Sequence, residues 1–241
     1  MRIEKLQKAY DVDIQTVHFP LHPDTPMEGK SLEELFAGRG YDPEAMYARM
    51  KGLMDEEGLP YAKRTHTYNS RLAQELGKWA DTQEGGGAIQ MKLYQAYFVD
   101  QKNIADIDLL VSIAESIGLD GAAAREVLEN RTFKDAVDAD WAKSQGYGVT
   151  GVPTYMADGQ GVVGAQPYEV LVQFMDAVGA EKVGSWPPTA SAAGTSPSSI
   201  SDQRASPYPS TRKRVVVFDV MTTVMASDGT TITYCPPKPR A

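Results

Sequence analysis

The chain has 241 residues, 42% of them hydrophobic, and a formal net charge of -8. An acidic chain repels the phosphates of nucleic acids, so we expect no nucleic-acid partner. No run approaches the ~18 apolar residues of a membrane helix, and residues 1–6 lack the apolar core of a signal peptide. Composition therefore predicts a globular, cytoplasmic protein without a membrane partner.

The first two predicted elements are a helix and a strand. Residues 2–10 place Ile3, Leu6 and Tyr10 on one helical face, and residues 12–19 alternate between apolar and polar side chains, which is typical of a strand. From about residue 31 to residue 145 a succession of helices follows, with capping residues and terminal glycines as punctuation.

The next elements predict a small hairpin and a closing helix. Asp158-Gly159 is a turn dipeptide between two short β-prone runs, and Pro167 opens an amphipathic helix that ends at Gly179. The order is helix, strand, helical block, strand, strand, helix. We therefore predict an α/β fold with a large helical insertion over residues 1–180.

The remaining residues differ in composition. Residues 181–212 are rich in Pro, Ser, Ala and Thr and predict a disordered linker. The tail, residues 213–241, contains a strand candidate at Val215–Val220 and a second at Thr230–Tyr234, with Asp228-Gly229 between them as a turn. A β-hairpin in the tail follows from this pattern.

Gly151-Val152-Pro153 is the candidate functional segment. Proline has no N–H to give to a sheet, so at the start of a strand it lies at an edge, facing solvent or a ligand. The alternative is a trans proline that opens a strand and binds nothing, because only about 5–6% of X-Pro bonds in folded proteins are cis.

Cysteine and histidine usage limits the possible chemistry. Cys235 is the single cysteine of the sequence, which excludes a disulfide within the chain, a two-cysteine redox pair and a cysteine-rich zinc site. The three histidines are His18, His22 and His66, and we expect them on strand and loop surfaces. Gly85-Gly86-Gly87 lacks the Lys and Ser/Thr of a phosphate loop. We predict no metal and no cofactor.

Four segments together resemble one protein family. They are Phe19–Pro23, Thr67–Ala73, Tyr147–Pro153 and Val163–Pro167. On these residues the chain from about Met1 to Gly179 resembles the DsbA-like thioredoxin-fold proteins, in particular their cytosolic FrnE-type branch. The resemblance implies a thioredoxin-like fold with a helical insertion, in which the usual first strand is missing.

The resemblance also implies a role for the proline loop. It implies a cis Val152–Pro153 bond, with Gly151, Val152 and Pro153 facing the substrate and the peptide group of Val152 free to pair with an extended chain. The implied partner is a cysteine-containing peptide or protein, with glutathione as the alternative.

The catalytic pair of that family is absent here. The family mechanism requires a Cys-X-X-Cys pair at the start of the first helix, where the helix dipole stabilises a thiolate. In this sequence that helix is residues 2–10, and no cysteine precedes Cys235. We therefore expect no catalytic residue in this chain. Either it is an N-terminally truncated form of a redox-active protein, or it has lost redox chemistry and keeps the groove.

Three functions stay open at this point. The first is a DsbA-family thiol-disulfide oxidoreductase domain, redox-inactive as written. The second is a glutathione-binding protein similar to 2-hydroxychromene-2-carboxylate isomerases and kappa-type glutathione transferases. The third is a nonenzymatic peptide-binding or chaperone-like module. A structural hypothesis accompanies them: Val215–Val220 could fill the vacant central position between the strand at residues 12–19 and the strand starting at Thr154.

Overall fold

The computed structural model describes residues 2–38, 40, 42–184 and 212–219. The helices are α1 (Arg2–Ala9), α2 (Leu32–Leu35), α3 (Pro43–Glu56), α4 (Arg71–Ala80), α5 (Ile89–Tyr94), α6 (Ile107–Glu115), α7 (Gly121–Asn130), α8 (Lys134–Gly146) and α9 (Tyr168–Ala177). The strands are β1 (Val12–His18), β2 (Lys30–Ser31), β3 (His66–Thr67), β4 (Thr154–Ala157), β5 (Gln160–Val163) and β6 (Lys213–Asp219). A 3₁₀ turn covers Gly86–Ala88 and a π-helical segment covers Gln95–Val99.

The four-stranded sheet has the order β1-β6-β4-β5. Strand β6 runs parallel to β1 along its whole length, from the pair Val12 and Lys213 to the pair His18 and Asp219. It runs antiparallel to β4, which in turn forms a hairpin with β5. Strand β6 thus lies between β1 and β4, in the central position of the missing first strand, as the structural hypothesis proposed.

Helices cover both faces of this sheet. On one face, Val215 and Val217 of β6 lie in a buried cluster with Leu6 of α1 and Leu171 of α9. On the other face, α8 packs against β1. Both faces of β6 are therefore buried, which explains why its sequence is a continuous apolar run rather than an alternating one.

The helical insertion has its own core. Buried side chains of α4 to α7 form one cluster that extends along the chain from Leu72 to Leu128. Asp106 and Asp120 cap α6 and α7 through their side chains. The glycine triplet makes the turn before α5, where a Cβ at Gly86 would overlap the carbonyl group of Ala80.

The chain after α9 remains hydrogen-bonded to the first helix as far as Val183. Residues 181–184 were assigned to the linker, but Val183 N donates to Ala9 O over 2.9 Å and Asp11 N donates to Glu181 O over 2.7 Å. Residues 181–183 therefore pair through their main chain with the end of α1 and the residues that follow it. The rest of the linker, the second tail strand and Cys235 lie outside the described residues.

No helix in the described ranges is long and apolar enough to cross a membrane.

Candidate functional site

The proline loop connects the end of α8 to the start of β4. Gly148 adopts a left-handed conformation with φ of 65°, and Val149 N donates to Ser144 O over 3.0 Å, which closes the helix. Three residues later the Val152–Pro153 peptide bond is cis, the geometry that the resemblance implies. The loop therefore begins at the left-handed Gly148 and ends at the cis peptide bond that precedes β4.

Hydrogen bonds fix the loop on both sides of Val152. Thr154 Oγ1 donates to Gly151 O over 2.7 Å, and Gly164 N donates to Pro153 O over 2.7 Å. Gly151 and Pro153 are buried, whereas Val152 is partly exposed. Within the described residues, no hydrogen bond engages the main chain of Val152. The residues on either side of Val152 are thus held in place by hydrogen bonds.

An apolar cluster lies beside this loop, and we call it the loop-side cluster. Val17, Val216 and Phe218 are its buried members, and Val149, Val152 and Met156 pack against them. Tyr147, which is 50% exposed, places its ring centroid 5.5 Å from that of Phe218. A partly exposed apolar surface therefore adjoins Val152.

The carboxyl end of β6 reaches the same place. Phe218 pairs with Thr154 in the antiparallel register, so Asp219 follows at the level of Pro153. The carbonyl of Asp219 accepts from Phe19 N over 2.7 Å. Burial raises the pKa of Tyr155, and the charge of Asp219 raises it further, so this phenol stays neutral.

His18 also lies near the end of the sheet, but it is buried, with 2% of its surface exposed. The expectation that it lies on a strand surface is wrong, because α4 covers this end of β1 and the His18 ring packs near Gly77. Its main-chain N–H donates to Asp140 Oδ2 over 2.9 Å, and Asp140 pairs with Lys78 at 2.7 Å. Burial, together with the charge of Lys78, lowers the pKa of His18 to about 3, so it is a neutral core residue at pH 7.

The structure groups some of the predicted site residues and adds others. Gly151, Val152 and Pro153 lie beside the loop-side cluster and Tyr147. The sequence analysis included Tyr147 and Val149 in the Tyr147–Pro153 segment but did not assign them to the site, and it did not identify the cluster beneath them. The apolar run at Val215–Val220 was the feature of the sequence that could have indicated a buried role for Phe218. Among the described residues, no three His, Cys, Asp or Glu side chains are arranged to hold a metal ion.

Comparison with known proteins defines the class. The model of the DSBA-like thioredoxin domain family matches residues 1–176. The chain belongs to this family. It has the thioredoxin-like fold of that family with a helical insertion.

Two relatives show how similar the chain is to other proteins. One is the uncharacterized protein YwbO of Bacillus subtilis, which is 34% identical over 179 residues, 70% of this chain and 83% of YwbO. The other is the crystal structure of a probable DsbA oxidoreductase from Streptomyces coelicolor, with a TM-score of 0.60 and 29% identity over 70% of this chain and 74% of that one. The described part of the molecule is thus similar to a thiol-disulfide oxidoreductase type of fold.

Proposed function

We propose that this chain is a DsbA-family domain that binds an extended, cysteine-containing polypeptide along the Val152–Pro153 loop. Support comes first from the main chain of Val152, whose N–H and C=O have no hydrogen-bond partner within the described residues. An extended peptide satisfies both groups by pairing as an added strand, and main-chain pairing of this kind is independent of the peptide sequence.

The neighbouring surface supplies the side-chain contacts. Tyr147 and the loop-side cluster offer apolar area next to the open main chain. A tyrosine contributes a large contact area while losing few rotamers on binding. We infer that the bound segment places an apolar or cysteine side chain against Tyr147.

We further propose that a chain of this sequence does not catalyse thiol-disulfide exchange by itself. That reaction passes an electron pair between two cysteines and a substrate disulfide through a mixed disulfide. The sequence contains one cysteine, Cys235, so the second thiol is not supplied. The related Streptomyces protein is described as a probable DsbA oxidoreductase, and a peptide groove is the part of that function which these residues support.

Titration of the ¹⁵N-labelled protein with a carboxymethylated, unfolded polypeptide tests the binding. We expect saturable shifts of the Val152 amide and of Tyr147, and none in α7. Tyr147→Ala should weaken binding about ten-fold, whereas Met91→Ala on the helical insertion should not. Saturable binding of glutathione without binding of the polypeptide would favour the glutathione alternative, and unchanged affinity in Tyr147→Ala would reject the groove.

An insulin-reduction assay tests the second part of the proposal. With dithiothreitol as reductant, we expect the protein to precipitate insulin no faster than buffer does. A rate above that background, removed by Cys235→Ser, would show that this single thiol carries redox catalysis. Binding and catalysis are thus judged by separate measurements.

A further inference from the structure

A second concave site lies in the helical insertion and shares no residue with the proline loop. It has a volume of about 30 Å³ and is lined by Arg64, Thr65, His66, Tyr68, Tyr97 and Gln101. The lining contains one permanent cation and no acidic residue. Its charge is therefore suited to an anion.

Arg64 is held in an unusual environment for a guanidinium group. Its Cζ lies 4.7 Å from the ring centroid of Tyr97 and 4.8 Å from that of Phe98. Its Nε is buried and has no hydrogen-bond partner. The phenols of Tyr61 and Tyr97 interact with the guanidinium, and among the described residues no carboxylate pairs with it. A buried charge and donor of this kind are costly without an anionic partner.

A π-helical segment creates this arrangement. Gln95–Val99 is wound more widely than an α-helix and ends with a hydrogen bond from Asp100 N to Gln95 O at 2.9 Å. The turn presents Tyr97 and Phe98 to Arg64, and Ala62 N donates to Phe98 O over 3.0 Å, which ties the two segments together. Single π-helical turns occur frequently at functional sites.

The opposite wall is made of fixed aromatic rings. Tyr68 lies edge-on to Tyr97 at 6.4 Å and stacks on His66 at 6.1 Å. A Cβ at Gly29 would overlap the Tyr68 ring, so the chain approaches that ring as closely as only glycine allows. His66 is itself oriented by the 2.9 Å contact of its Nδ1 with Thr65 Oγ1. The pocket is therefore preformed.

We propose that this pocket binds a small planar carboxylate, with the carboxylate on Arg64 and the flat remainder against Tyr68 and Tyr97. Arginine donates in a planar fork that matches carboxylate geometry. A cavity of about 30 Å³ admits a carboxylate group but not a ring, so the flat part of the ligand lies at the mouth of the cavity. The site is separate from the polypeptide groove, and neither proposal depends on the other.

Calorimetric titration of the full chain with benzoate, benzamide and inorganic phosphate tests this site. Benzamide has the shape of benzoate without its charge. We expect saturable binding of benzoate, at least ten-fold weaker binding of phosphate and no detectable binding of benzamide. Arg64→Gln should weaken benzoate binding at least ten-fold. Arg125→Gln removes the same charge from an arginine that pairs with Asp108 and Glu129 and should leave it unchanged.

A second variant keeps the test decisive if Arg64→Gln does not fold. Gln101 is exposed and lines the pocket, so Gln101→Glu adds a competing carboxylate without disturbing the core. It should abolish benzoate binding at unchanged thermal stability. The proposal is overturned if the wild-type chain does not bind benzoate saturably, if benzamide or phosphate binds as tightly, or if Gln101→Glu binds benzoate as the wild type does.

Discussion

The two cores of this protein are assembled in opposite ways. The core of the helical insertion takes its buried residues from one continuous stretch, Leu72 to Leu128. The core beside the sheet joins residues as far apart as Leu6 and Val217. The first can form from contacts that are close in sequence, whereas the second requires the two ends of the chain to meet. The proline loop packs on the loop-side cluster, which includes Val216 and Phe218 of the same strand, so the candidate site depends on the less local assembly.

The two regions also differ in their ion pairs, which centre on a buried carboxylate in the insertion and are exposed around β6. In the insertion, the fully buried Glu75 accepts from Arg71 and Arg131 at 2.7–2.8 Å. Around β6 the ion pairs of Arg212 with Asp11 and of Arg214 with Asp13 are exposed. Exposed pairs contribute about 0–1 kcal/mol. Apolar burial therefore holds β6 in the sheet, at roughly 1.5–3 kcal/mol for each large side chain.

The largest expected effect follows from placing a charge in the central strand. Val217 is 2% exposed, and Val217→Asp would bury a carboxylate among apolar side chains. We expect a loss of at least ~4 kcal/mol, which is of the order of the whole stability of a small domain. Near-UV circular dichroism should show loss of side-chain packing around the sheet, while far-UV circular dichroism should retain much of the helical signal.

Arg214→Gln is the matched control for this change. Arg214 lies on the same strand but is exposed, so its replacement should change the free energy of unfolding by less than ~0.5 kcal/mol. Equal effects of the two substitutions would mean that β6 does not lie inside the sheet.

Within the insertion, the largest effect is expected at Glu75. Glu75→Ala leaves Arg71, which is mostly buried, and Arg131 without their shared carboxylate, and we expect a loss of about 3 kcal/mol. Urea unfolding followed by tryptophan fluorescence measures it. Glu129→Ala removes an exposed carboxylate that pairs with Arg125 and should have little effect. A similar loss in both variants would contradict the assignment of Glu75 as the ionic centre of the insertion.

The pH dependence of the free energy of unfolding should also reveal the contribution of Glu75. Burial alone would raise the pKa of Glu75, but hydrogen bonds and charges from Arg131 and Arg71 outweigh it and lower the pKa below its ordinary value of 4.5. A lowered pKa means that stabilisation is complete above pH 4.5 and is lost as the pH falls through the folded-state value. Stability of the insertion should therefore fall below pH 4.5, and Glu75→Gln should flatten this part of the curve.

The smallest effect is expected where the sheet region meets α9. Tyr10 donates from its hydroxyl to Asp176 Oδ1 over 2.8 Å. Tyr10→Phe removes this bond and keeps the ring, so we expect a loss of about 1 kcal/mol in thermal or urea unfolding. Because Asp176 is exposed, water can replace the donor. A loss above ~3 kcal/mol would show that the hydroxyl is more important than this contact indicates.

Periodicity and turn residues were sufficient for the local elements, and the family pattern was needed for one long-range pairing. The alternation after Tyr10, the Asp158-Gly159 turn and the helix after Pro167 predicted β1, the β4-β5 hairpin and α9. The apolar run at Val215–Val220 predicted a strand, and only the family pattern, with its missing central strand, indicated its place in the sheet. Pro153 was identified from the chemistry of a proline at a strand start, and the family pattern added the cis geometry of its peptide bond.

Features that depend on packing between elements were not predictable. His18 is buried because α4 covers the end of β1, which no property of its own strand indicates. The pocket at Arg64 requires a π-helical turn, and the sequence Gln95–Val99 has no signal that distinguishes it from an α-helix. Residues 181–184 looked like linker by composition, but their main-chain hydrogen bonds to α1 are independent of composition.

Amide hydrogen exchange of the full chain and of a chain ending at Gly184 tests the central claim most directly. The claim is that β6 completes the sheet that positions the proline loop. We predict that the shorter chain loses protection in β1, whose partner strand is removed, and in β4, which loses one of its two partner strands, while α4 and α7 remain protected. Equal protection of β1 and β4 in the two chains would contradict the placement of the C-terminal strand between them.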